Sequence, residues 1–245
     1  MKHPLVILIL LMSTLSLLSQ TKVKKVEDLI NTKDSGWTFV EQSIKEAKND
    51  VEVLAVNPSR AKDALFKMQV TTRSPMGAII YMSGGILIDK GWIRILGSGG
   101  EKLNRSIADW NKGKSFDNYG EQPSFLLVAD DIIGGFFLLN GGGLGDDLGK
   151  IYYFSPDNLE YEPLDLTYTE FLNFCFNGDL NKFYAGYRWK NWKDDIKTLK
   201  GDEAFSFYPY LWTEKGKDVN KTSRKTVPIE ELYNLNLKIR STLTK

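Results

Sequence analysis

Apolar residues recur along this chain with two different periods, and the change of period divides it. Near the start the spacing is helical: Val26, Leu29 and Ile30 predict a short helix, and Trp37, Val40, Ile44 and Ala47 an apolar stripe on a second. Asn57 then caps a third helix that has Pro58 at its first position and Ala61, Ala64, Leu65 and Met68 on its buried face. From Gly77 to Leu96, GAIIYMSGGILIDKGWIRIL reads as short strands broken at Gly84-Gly85 and at Asp89-Lys90-Gly91. In it Ile93 and Ile95 face one side, Trp92 and Arg94 the other. A helical turn follows, opened by the pair Ser106 and Asp109 and stopped by Gly113.

The stretch from Phe125 to Tyr153, FLLVADDIIGGFFLLNGGGLGDDLGKIYY, packs short apolar strands between turns rich in glycine and aspartate. It predicts a meander through Phe125 to Val128, Phe136 to Leu139 and Ile151 to Phe154. The turn Ser155-Pro156-Asp157-Asn158 returns a fourth strand, in which Leu159 and Tyr161 alternate with Glu160 and Glu162, so one face is wet. Thr167 and Glu170 form a capping box for the next helix, and Gly178 stops it. Beyond it, 181–187 and 189–199 read as helical, 215–225 as a polar mobile loop, and Pro228 opens a last helix with Ile229, Leu232, Leu235, Ile239 and Leu243 on one side. The fold class is therefore α+β: mainly an antiparallel β-meander sheet flanked by N-terminal and C-terminal helices. Its 245 residues hold no Pro/Ser-rich linker and no internal repeat, which predicts a single domain over 21–245 with a helical C-terminal extension.

The first twenty residues, MKHPLVILILLMSTLSLLSQ, place Lys2 before an apolar run that ends at polar Gln20, Thr21 and Lys22. That is the pattern of a secretory signal peptide over 1–20 and predicts an exported, periplasmic or secreted protein, free of the membrane once cleaved. Removal would take one Lys and leave 31 basic against 31 acidic side chains, a balance that does not invite nucleic acid.

Two counts bear on chemistry. The one histidine, His3, lies inside the leader, so the mature chain has no imidazole for general-base work, for a Ser-His-Asp triad or for a metal. Cys175 is alone and shares a helical face with Tyr168, Phe171 and Leu172, which marks it as a core thiol. No cofactor or metal site is expected. The glycine-rich loop 141–149 fails as a phosphate cradle: Leu144 stands where a P-loop needs glycine, Ile151 follows Lys150 in place of Ser or Thr, and Asp146 and Asp147 repel an anion. Asp130-Asp131 and Asp146-Asp147 offer paired carboxylates, yet neighbours on a strand point to opposite faces, so turn formation explains them more cheaply than a catalytic dyad.

The segments VTTRSPMGAIIYMSGGILIDKGWIRILGSG, SIADWN, FLLVADDIIGGFFLLNGG, KIYYFSPDNLEYEPL and YTEFLNF resemble a family of uncharacterised bacterial proteins that carries a domain-of-unknown-function label, over about 26–237. More distantly, the order of strands, polar turns and capped helix resembles the SUKH superfamily. That resemblance implies an α+β fold and an immunity-protein-like role, binding another protein without catalysis. Two features depart from it: such proteins usually work in the cytoplasm and are often strongly acidic.

The leading expectation is thus an exported, monomeric, non-catalytic domain that binds a protein or other ligand. Its surface is expected at Thr71, Thr72, Arg73 and Ser74, at Trp92 and Arg94, at Asp130 and Asp131, and at Asn140, Asp146 and Asp147. Two alternatives stand beside it. One is a histidine-free hydrolase of envelope glycans working through carboxylates such as Asp130, Asp131 or Glu162. The other is a structural envelope protein whose aromatic C-terminal half packs on a partner.

Overall fold

In a computed structural model, which describes residues 23–243, the chain is α+β and built on one seven-stranded antiparallel sheet. The helices before it are α1 (Val26–Leu29) and α2 (Trp37–Lys45). Strand β1 (Val51–Val53) comes next, then α3 (Pro58–Met68), α4 (Pro75–Met82), β2 (Gly85–Ile88), β3 (Ile93–Leu96) and α5 (Ile107–Asn111). The meander continues through β4 (Phe125–Asp131), β5 (Phe136–Asn140), β6 (Lys150–Phe154) and β7 (Tyr161–Thr167). After it come α6 (Tyr168–Asn177), α7 (Leu180–Phe183), α8 (Trp192–Asp195), the hairpin β8 (Glu203–Tyr208) and β9 (Ser223–Pro228), and α9 (Ile229–Leu243). Spatial order in the large sheet equals chain order, β1 to β7, with every pair antiparallel. The signal peptide expected at 1–20 lies outside the described residues.

Register lines up one row of side chains across all seven strands. Glu52 sits opposite Leu87, Leu87 opposite Arg94, Arg94 opposite Asp130, Asp130 opposite Phe136, Phe136 opposite Phe154, and Phe154 opposite Tyr161. Directly paired residues share a face. The aromatic end of this row is covered by α9: the Tyr233 ring meets Phe136 edge-on at 4.9 Å, and the Arg240 guanidinium lies 5.1 Å from the centre of the Tyr161 ring. On the opposite face, Phe137 and Tyr153 pack with Phe171 and Phe183, so α6 and α7 form the second cover. Tyr168, Phe171, Leu172, Cys175 and Phe176 are the buried face of α6, and Phe171, Leu172 and Phe176 each stabilise by about 1.5–3 kcal/mol if fully withdrawn from water. Burial holds the Cys175 thiol well above its usual range, as expected for a core thiol.

Four segments differ from the sequence expectation in ways that matter here. Gly77 to Met82 belongs to helix α4, not to a strand: Ser74 caps it by accepting from the Gly77 amide and Pro75 takes its first turn. Met76 through Ile80 are all buried, so the run shows no helical period. The polar segment 215–225 contains two short 3-10 turns and the start of β9, which pairs with β8 along its whole length. In α9 the buried stripe is Ile229, Leu232, Tyr233 and Asn236, while Leu243 is exposed. The region 189–199 is helical only in short pieces, α8 and a 3-10 turn over Ile196–Thr198.

Where β3 ends, β4 is left without a strand on that side along its first residues, and a side chain from α5 takes its place. Asn111 donates to the Leu127 carbonyl at 2.8 Å and accepts the Leu127 amide at 2.8 Å, fully buried. An unpaired buried peptide unit there would cost roughly 1–3 kcal/mol.

Candidate functional site

The half of the row that α9 does not cover is the floor of a cleft of about 1400 Å³. Glu52, Leu87 and Arg94 form that floor, the 101–104 segment one wall, and the segment 190–202 the other. Lysines crowd the rim: Lys90, Lys102, Lys190, Lys193, Lys197 and Lys200. Five acids also line it, Asp50, Glu52, Glu101, Asp194 and Asp202, so with Arg94 the lining carries an excess of two positive charges. Lys90 pairs with Asp50 at 2.9 Å, Lys102 with Glu52, and Lys197 with Asp194 at 2.7 Å. Lys190 and Lys193 make no ion pair among the described residues, though the Lys193 ammonium lies 5.5 Å from the Trp192 ring centre.

Arg94 is fixed rigidly. Its Nε donates to Asp130 Oδ1 at 2.6 Å, one terminal nitrogen donates to the Glu203 carbonyl at 2.6 Å, and the other reaches the Asp131 carbonyl at 3.4 Å. Arg105 donates to the second oxygen of Asp130 at 2.6 Å and to the Gly201 carbonyl at 3.1 Å. Two arginines thus share one fully buried aspartate and tie the sheet to the wall at 201–203. Burial lowers the Arg94 pKa from its ordinary value, and Asp130 opposes that. The triad leaves one positive charge beneath the cleft, where low polarisability makes it felt more strongly than at the surface.

The turn at the top of the floor is unusual in its backbone. Asp89 and Lys90 both have positive φ, 50° and 64°, and the Gly91 amide closes on the Ile88 carbonyl at 3.1 Å. This turn opens a four-residue connection, Asp89 to Trp92, between the paired Ile88 and Ile93; Gly91 too has positive φ, 88°, but Asp89 and Lys90 adopt theirs without being glycine. Asp50 compensates for the strain by accepting the Asp89 amide at 2.8 Å and pairing with Lys90, while Arg188 pairs with Asp89. Strained residues of this kind concentrate at functional sites.

Of the residues singled out from sequence, Arg94 lines the cleft and Asp130 holds it. Trp92 is fully buried behind the wall, with its ring 5.0 Å from Trp192, and does not reach the open space. Asp131 does form a turn: its Oδ1 accepts the Ile133 and Gly135 amides at 3.1 and 2.8 Å, and its Oδ2 accepts the hydroxyls of Tyr153 and Tyr184 at 2.7 and 3.0 Å. Burial still raises its pKa above the ordinary 3.8, and these four donors pull it back only in part. Gly135 is required here, since a Cβ would collide with Tyr153 Oη and Asp131 Oδ2.

The other two clusters are loop staples. Asn140 accepts the Gly142 and Leu144 amides and donates to Gly145 and Asp147, and Asp147 also accepts the Tyr152 hydroxyl at 2.7 Å; Asp146 is left exposed. Thr72 is buried and exchanges hydrogen bonds with the Asn31 backbone, Ser74 caps α4, and Thr71 gives its carbonyl to Ser74. Arg73 is exposed, 4.0 Å from Asp34. The two aspartate pairs sit at opposite ends of β5, about 14 Å apart over four residue steps. None of Asp130, Asp131, Asp146, Asp147 and Glu162 lines the cleft. The wall residues 190–202 and the floor residues Glu52 and Leu87 went unnoticed from sequence, because Lys, Asp and a half-buried Leu are ordinary surface residues.

Fold and site together define an α+β protein whose sheet is covered by helices except where it floors this cleft. The chain belongs to the family described as "Protein of unknown function DUF2625", whose model matches residues 26–232. It is 48% identical to an uncharacterised protein of Haemophilus influenzae over 214 residues, which cover 87% of this chain and 94% of that one. It is 41% identical to the putative uncharacterised protein YbfG of Escherichia coli over 223 residues, 91% of this chain and all of that protein.

Proposed function

We propose that this protein is an exported, non-catalytic binding domain of the SUKH-like, immunity-protein type, and that it seats its partner in the cleft over β1–β3, not on the loops at 71–74 and 140–147. The observation that carries this reading is the cleft itself, about 1400 Å³ over a floor fixed by the Arg94–Asp130–Arg105 triad. That volume exceeds the roughly 300–1,000 Å³ of sites for small ligands, and favours a segment of another protein. A preorganised floor also binds without the entropy loss of ordering it. The hydrolase reading needs its candidate carboxylates facing one another across a cleft, and they are dispersed instead.

A photo-crosslinking residue placed at Asn191 or Lys193, compared with one at Thr71 or Leu148, tests the reading in cells. Discrete adducts from the two wall positions alone are expected. Adducts from Thr71 or Leu148 alone would move the binding surface to the loops. Export is tested separately by the N-terminus of the protein recovered from the cell envelope or medium: a start near residue 21 is expected, and an intact leader on cytoplasmic protein would refute it.

A further inference from the structure

Strand β1 forms the outer edge of the sheet and one rim of the cleft. The Leu54 amide donates to the Gly85 carbonyl at 3.0 Å, and the Asp89 amide donates to the Asp50 carbonyl at 2.8 Å. Backbone groups alternate along an antiparallel pair, so Asp50, Glu52 and Leu54 point theirs towards β2. Val51 and Val53 therefore point their N–H and C=O groups outwards, away from the sheet. This edge is not buried: Glu52 is exposed, Val53 is 39% exposed, and Val56 just beyond is 38% exposed. Unpaired edge groups of this kind are a template for another strand, and natural proteins normally cover or blunt them.

Charge decides what kind of strand suits it. The acids on this edge, Asp50 and Glu52, are already neutralised by Lys90 and Lys102. Among the described residues Lys190 and Lys193 make no ion pair, nor do Glu101 and Asp202, but the lining as a whole keeps an excess of two positive charges and lies above a buried triad with one surplus positive charge. A chain laid beside β1 turns alternate side chains onto the face that carries Glu52, Leu87 and Arg94, hence into the cleft.

We propose that the partner segment is an extended acidic peptide that adds as a strand along Val51–Val53 and places alternate Asp or Glu side chains against Lys190 and Lys193. The inference rests on the cleft being the binding site and specifies the chemistry of its occupant. Main-chain hydrogen bonds supply affinity in strand addition, and the alternate side chains supply selectivity.

The test is calorimetric titration of the mature protein with a capped peptide of alternating Glu and Val, and with its Lys-Val counterpart as control. Saturable one-to-one binding of the acidic peptide alone is expected. Val53→Pro, which removes an outward N–H without touching the bonds to β2, and Lys190→Glu with Lys193→Glu should each weaken it about tenfold or more. Unchanged circular dichroism and melting of both variants would show that folding is not the cause. Binding that Val53→Pro leaves intact would overturn strand addition, and equal binding of the basic peptide would overturn the charge assignment. If the acidic peptide fails while the crosslinks from Asn191 and Lys193 still form, this inference falls and the cleft reading stands; if both fail, both fall.

Discussion

One row of side chains crosses the whole sheet, and its two halves have opposite fates. Phe136, Phe154 and Tyr161 are roofed by Tyr233 and Arg240 of α9, as apolar and aromatic surface demands. Glu52 and Leu87 have no such roof and floor the cleft, with Arg94 buried beside them against the Glu203 carbonyl. Between them stands Asp130, whose two arginines keep the boundary rigid. The covered half explains how the sheet is stable; the open half is where the partner proposed above would be seated.

The contrast is sharpest at the boundary. Asp130→Asn leaves two buried guanidinium groups with a neutral partner, and should cost about 3–5 kcal/mol of unfolding free energy in urea titrations. A loss under 1 kcal/mol would mean the triad is not buried as described. Phe136→Ala on the covered half should cost a similar 3–5 kcal/mol, whereas Leu87→Ala on the open half should cost only about 1–2, because its side chain is already partly exposed. Equal losses at the two positions would erase the distinction between the halves.

Smaller effects come from Asp131 and the rim. The folded-state pKa of Asp131 is raised, so the proton is held more tightly in the folded protein than in the unfolded chain. Its contribution is fully present below about 3.8 and is lost as pH rises through the folded value. Asp131→Asn should therefore gain stability relative to wild type across that rise, and a difference flat with pH would contradict the assignment. Lys193→Ala should change unfolding free energy by no more than about 0.5 kcal/mol, since the side chain is exposed and unpaired.

Much of the architecture was legible in the sequence, for identifiable reasons. The meander from β4 to β7 shows because aspartate and glycine punctuate each turn, and α6 because Thr167 and Glu170 cap it. Helix α4 was missed because it is apolar on every side, although Ser74-Pro75 opens it with the same cap-and-proline signal as Asn57-Pro58 on α3. Strand β9 was missed because Ser223 to Thr226 lie mostly on the wet side of a two-stranded hairpin. The site was legible only in Arg94 and Asp130. Its other parts come from 50–52, 87–91, 101–104 and 190–202, and only the register of β1 to β4 and the packing of the last segment bring them together.

The most direct test replaces the triad whole, as Arg94→Met, Asp130→Leu and Arg105→Met in one chain. Apolar replacement of a buried ion triad is often neutral or stabilising. If the triad serves the cleft, unfolding free energy stays within about 2 kcal/mol of wild type while the crosslinked adduct at Lys193 disappears. A folded triple variant that still forms the adduct would contradict the account.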